Sequence, residues 1–195
     1  MEKRVTASEL RAKLEADPEY RKRKREAEAR HAEKAAELLS AEKPLIEDLT
    51  RVGFPVKSVW DLVSNKGPYS EAIPILLNHM HRSYPDRVKE GIARALAVPH
   101  TTVTWLRILD EYKDTAAACD YKHGLAAALG ATSSDDIMPY LQEVIIDPVH
   151  GESRLLLLKA LRRSSLPSSK RLLDELSDDP TFSKEIRSWG RSRMK

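Results

Sequence analysis

The sequence predicts an all-α protein built from stacked helical hairpins, and three observations carry that reading. The phrase Gly91-Ile92-Ala93-Arg94-Ala95-Leu96 returns as Gly124-Leu125-Ala126-Ala127-Ala128-Leu129 and, in weaker form, as Leu156-Leu157-Leu158-Lys159-Ala160-Leu161. The offsets are 33 and 32 residues, a period that marks repeat architectures. Two ladders keep the register, one of Leu76, Leu109, Leu141 and Leu173, the other of Ile92, Leu125, Leu157 and Trp189. Between them, apolar residues recur at i, i+3, i+4 and i+7, the stripe of an amphipathic helix.

Residues 1–41 form a charged extension of helices in which leucines are few. Ser8 caps a first helix ending near Ala16. Asp17-Pro18 opens a second, with Asp as cap and Pro at the first helical position, running to about Leu39. Within it, Arg21-Lys22-Arg23-Lys24-Arg25 is the densest charge run. Acids surround it, and Glu19–Arg23 and Glu26–Arg30 are spaced as i,i+4 pairs, so a solvated helix is favoured over a nucleic-acid tail.

Residues 42–195 form the repeat domain. Subtracting 32 from Ile92 lands on Trp60, which places a first hairpin at about 43–52 and 57–65. Ile73, Leu76, Leu77 and Met80 begin the second hairpin, which turns at Tyr84-Pro85-Asp86 and continues through Val88 and Ile92. Trp105, Ile108, Leu109 and Tyr112 begin the third, completed from Asp120 to Leu129. Ile137, Leu141, Val144 and Ile145 begin the fourth, which turns at Asp147-Pro148 and runs through Arg154 to Leu161. Lys170 to Leu176 and Thr181 to Arg191 close the array. Hairpins of two ten-residue helices are not stable alone. Each buried Leu or Ile contributes about 1.5–3 kcal/mol, so three or four per hairpin make stacking decisive. Terminal units lack one neighbour, which fits a tryptophan at each end of the ladder, Trp60 and Trp189.

These residues resemble HEAT repeats of the armadillo-like superfamily. Pro85-Asp86-Arg87-Val88-Lys89 before Gly91 to Leu96 matches the inter-helix turn, basic position and small-residue helix of that pattern, although Pro-Asp stands where Asp-Pro is usual. Tyr121-Lys122, and Asp147-Pro148 with Arg154 and Ala160-Leu161, carry the later copies. The run from Val59 to Arg87 is similar to bacterial HEAT-repeat proteins. The resemblance implies a right-handed α-α superhelix of about five hairpins and a concave binding face lined by second helices. It implies no activity, because fold does not determine function.

Lys57, Lys89, Lys122 and Arg154 form a basic ladder at offsets of 32, 33 and 32. Exposed along a concave face, they offer an anionic partner a stripe. Paired with turn acids such as Asp86 or Asp120, they keep the hairpins in register, and this second role is the favoured one. Trp60, Asp61 and Trp189 are candidate aromatic and acidic contacts, with core or end-cap packing the simpler role. HEAT-like DNA glycosylases use a Trp, an Asp and a basic groove, so Trp60-Asp61 and the ladder supply an alternative, nucleic-acid-binding reading. The net charge of +3 is low for it. Arg187 to Lys195 carries four cations and no flanking acid beyond Arg187, a site for weak phosphate contact or for the last helix dipole.

No metal site is expected, since His79 and His81 at i, i+2 point to different helix faces. No nucleophile constellation, phosphate loop or cofactor motif is present. Asp135-Asp136 and Asp178-Asp179 read as caps. The lone Cys119 and a charged rather than apolar N-terminus predict a cytoplasmic protein without a signal peptide. The function expected is a non-enzymatic scaffold holding another protein.

Overall fold

The computed structural model describes residues 6–64 and 67–191. Eleven α-helices and three 3-10 segments follow one another, with no strand among the described residues. The chain divides into two compact units, Met1–Ala41 and Glu42–Lys195.

The first unit holds α1 (Ala7–Ala16) and the opening of α2 (Pro18–Arg51). The cap of α1 is Thr6 rather than the expected Ser8. Thr6 Oγ1 accepts from Glu9 N–H, and the Glu9 carboxylate accepts from Thr6 N–H, a reciprocal capping box that Ser8 lacks the partner to make. This arrangement holds the Glu9 carboxyl below its ordinary pKa, chiefly through the Thr6 main-chain bond. Asp17 caps α2 as expected, accepting from Glu19 N–H at 2.9 Å. The Glu19–Arg23 and Glu26–Arg30 pairs do not close to 4 Å, while Arg11–Glu15 does at 3.4 Å. Long exposed side chains gain little from holding one geometry.

The break expected between Leu39 and Lys43 does not form. α2 continues through Pro44 to Arg51 because its last turns bury Glu42, Leu45 and Leu49. That burial outweighs the main-chain bond that Pro44 removes. In the second unit follow α3 (Val59–Ser64), α4 (Ile73–Met80), α5 (Asp86–Ala95), α6 (Thr102–Asp114), α7 (Asp120–Thr132) and α8 (Met138–Ile146). The 3-10 segment Pro148–Leu157, α9 (Leu158–Arg163), α10 (Pro167–Leu176) and α11 (Ser183–Arg191) complete it.

The core runs through the second helix of each hairpin. α3 packs on α5, α5 most extensively on α7, and α7 on the Pro148–Leu157 segment. The inner rungs Ile92, Leu125 and Leu157 are fully buried, as are Leu76 and Leu141 of the first helices. The recurring glycines explain the closeness of these seams. A Cβ on Gly91 would lie 2.5 Å from Val59 Cγ1, and one on Gly124 would lie 2.8 Å from the Glu90 carbonyl oxygen.

Acids at helix starts tie neighbouring hairpins. Asp86 accepts from the N–H groups of Asp120, at 2.7 Å, and Tyr121, at 3.1 Å, so the start of α5 caps the start of α7. Asp135 takes the hydroxyls of Ser164 and Ser165 ahead of α10 instead of capping its own helix. Asp179 does cap locally, accepting from Thr181 N–H at 2.7 Å. The fourth hairpin departs from expectation. Its second helix is broken at Gly151, whose φ of +64° is a left-handed value, and only Leu158–Arg163 is α-helical.

Candidate functional site

The four ladder cations occupy four different settings. Lys57 is exposed, ahead of α3. Lys89 is half-buried on α5, its ammonium 3.6 Å from Glu111 Oε1 and 4.0 Å above the Tyr121 ring. Its acid is thus Glu111 of α6, not Asp86, whose oxygens are engaged by the α7 N-terminus. Lys122 is 1% exposed, donating to the Thr115 carbonyl at 2.6 Å and to His150 Nδ1 at 3.0 Å. Arg154 is buried against the Gly151 and Ile145 carbonyls, with its guanidinium 4.9 Å from the Phe182 ring. The spacing therefore does not generate a continuous solvent-facing stripe. Lys122 and Arg154 fill the interior, where carbonyls and aromatic faces take the place of carboxylates.

Burial lowers the Lys122 pKa, and burial together with the Lys122 charge lowers that of His150. Tyr121 sits beside the same Glu111, donating its hydroxyl at 2.8 Å, and burial first and that carboxylate second raise its pKa. His81 also reaches Glu111, at 3.1 Å, so this acid gathers Lys89, Tyr121 and His81 between hairpins.

Asp61 meets the ladder at the main chain of Lys57, while the cations on Trp60 and Trp189 are Arg87 and Arg162 rather than ladder members. Asp61 accepts from the N–H groups of Lys57 and Ser58 at 2.8 and 3.1 Å, a helix cap. Trp60 lies on Gly91 and beneath the Arg87 guanidinium, 3.8 Å from its ring centroid. Arg87 is held by the buried carboxylate of Glu90, which Arg94 also binds at 2.7 Å. Trp189 has the corresponding cover, Arg162 at 4.9 Å, and its indole N–H donates to Glu185. Each end of the ladder thus has a half-buried indole with an arginine on its face. Arg193 and Lys195 of the basic C-terminal run lie outside the described residues.

A second polar cluster had no signal in the sequence. His79, fully buried on α4, joins Asp48 Oδ2 of α2 at 2.8 Å to the Tyr84 hydroxyl at 2.6 Å. The bond to His79 holds the Asp48 carboxyl below its ordinary pKa, and burial raises that of Tyr84. Among the described residues no three His, Cys, Asp or Glu side chains converge as metal ligands. Cys119 is half-buried, its thiol donating to the Ala116 carbonyl.

A second periodic set lies five residues beyond the ladder. Arg94, Ala127 and Lys159 are equivalent at offsets of 33 and 32, and are half-buried, half-buried and exposed. Arg163, at the end of α9, donates to the Gly130 carbonyl at 2.6 Å. A separate groove of about 380 Å³ lies between α8 and α10, with Pro139, Ile146 and Leu172 as its apolar lining and Glu143, Arg171 and Glu175 as its charged lining.

No family model, no curated protein and no solved structure matches the chain. No described helix is long and apolar enough to cross a membrane.

Proposed function

We propose that residues 42–195 form a HEAT-like solenoid, a right-handed α-α superhelix of about five hairpins. In this reading the chain is a non-enzymatic cytoplasmic scaffold that docks another protein along the concave face lined by its second helices. The observation that carries the reading is the repeated seam. α3, α5, α7 and the Pro148–Leu157 segment pack in sequence order, α3 on α5 at Gly91, α5 on α7 at Gly124 and α7 on the 148–157 segment at Gly130. An array of this kind presents equivalent positions at regular intervals on a preformed surface, which keeps the ordering cost of binding low.

Arg94, Ala127 and Lys159 are those positions. Their charge is modest, because Glu90 already pairs Arg94. Nucleic acid is the weaker partner for the same reason, and because Lys122 and Arg154 are spent inside the fold.

Co-precipitation with the full chain tests the proposal, comparing wild type with an Arg94→Glu, Lys159→Glu variant of unchanged helical circular dichroism. The proposal expects a protein retained by wild type and lost by the variant. Equal retention by both, or retention of nucleic acid alone that moderate salt abolishes, contradicts it.

A further inference from the structure

The seam between α7 and the Pro148–Leu157 segment contains a polar cluster that apolar stacking does not require. Lys122 and His150 are 1% and 5% exposed. The Lys122 ammonium donates to His150 Nδ1 at 3.0 Å and lies 4.5 Å from the Tyr112 ring centroid. An accepting Nδ1 fixes the imidazole as neutral, with its proton on Nε2. The Tyr112 ring lies 4.9 Å from that of His150, and the Tyr112 hydroxyl meets Ser153 Oγ, which donates to the His150 carbonyl.

Among the described residues no carboxylate pairs with Lys122 or His150 within 4 Å. The groups that face His150 are Lys122 from α7, Tyr112 and Lys113 from α6, and Asp147 and Arg154 from its own stretch of chain. Asp147 is the one acid of this set, and its carboxylate is committed to Val149 N–H at 2.9 Å. The pair therefore holds one positive charge comfortably and two badly.

We infer that His150 is a proton-operated latch on this seam. A second proton on the Lys122–His150 pair replaces their hydrogen bond by a contact between two cations and releases the 148–157 segment from α7. The segment is suited to local release. It is 3-10 rather than α-helical, and Gly151 interrupts it with a left-handed φ. Burial and the Lys122 charge favour the neutral imidazole in the folded chain, so the unfolded chain binds more protons below the free value of 6.5. Stability of the seam is complete above pH 6.5 and declines as pH falls toward the folded-state value.

The test is histidine ring NMR and amide exchange on the full chain between pH 7.5 and 5, for wild type, His150→Gln and Lys122→Met. His150 is expected to titrate below 6.5 in wild type, and at a higher pH in Lys122→Met. Protection of the amides of residues 150–158 should fall about tenfold for each unit by which its pKa is lowered, and should not fall in His150→Gln. A His150 pKa at or above 6.5, a midpoint unmoved by Lys122→Met, or an equal loss of protection in His150→Gln overturns the inference. If His150→Gln does not fold, the wild-type ring titration decides alone.

Discussion

Gly124 lies directly against the main chain of Glu90. A Cβ at Gly124 would meet the Glu90 carbonyl oxygen at 2.8 Å and the Ala93 Cβ at 2.9 Å. Gly91 stands in the same relation to the previous helix, but there its neighbours are the side chains of Val59 and Trp60. Side chains can turn aside and main chain cannot. Gly124→Ala should therefore destabilise by about 1–3 kcal/mol, and Gly91→Ala by less. Urea unfolding midpoints at constant slope check the order, and equal midpoints would show that both seams can relax.

The cap across hairpins makes a second prediction. Asp86→Ala leaves the N–H groups of Asp120 and Tyr121 without their acceptor. Loss of a cap costs about 0.5–2 kcal/mol. Amide exchange should quicken at residues 120 and 121 in α7, more than 30 residues from the substitution, before it quickens elsewhere.

Asp48 sets the response to acid at the other polar cluster. Its bond to His79 holds its pKa below the ordinary 3.8. That stabilisation is present above pH 3.8 and is lost as pH falls through the folded-state value. Asp48→Asn should be less stable than wild type at neutral pH and show a shallower loss below pH 4, the threshold being about the free carboxylate range. Acid unfolding followed by circular dichroism measures both.

The tyrosines set the response to alkali. Burial pushes Tyr112 up to about 12 from an ordinary 10, and Tyr121 is raised also. A phenol with a raised folded-state pKa contributes stability that is complete below pH 10 and is lost as pH rises beyond it. Tyr112→Phe should flatten that alkaline decline while costing about 1 kcal/mol at neutral pH, because the buried hydrogen bond between the Tyr112 hydroxyl and Ser153 is lost.

The helical class and the hairpin register were legible in the sequence because both rest on local periodicity. Gly91, Gly124 and the Leu76 to Leu141 ladder could be aligned by counting. The orientation of the basic ladder could not be read in the same way. A period of 33 establishes that Lys89 and Lys122 are equivalent, yet it does not say which side of the helix faces water. Lys89 is half-buried and Lys122 buried, although the count makes them equivalent, whereas Arg94 and Ala127, five residues on and roughly 140° around the axis, are both half-buried.

Cross-hairpin partners were equally hidden. Nothing near Asp86 announces Tyr121, nothing near Asp48 announces His79, and His150-Gly151 does not declare a left-handed turn. Thr6 was legible in principle, since Thr6-x-x-Glu9 is a capping-box pattern.

Helices α3, α5 and α7 lie directly on one another in that order. Nuclear Overhauser contacts in the full chain test this most directly, between the Ala93 methyl and Gly124 Hα, and between the Trp60 indole and Gly91 Hα. Both pairs should give strong cross-peaks, since the sites of their contact are tighter than ordinary packing. An Ala93 methyl that contacts only its own hairpin, with Gly124 silent to it, would contradict the stacked arrangement.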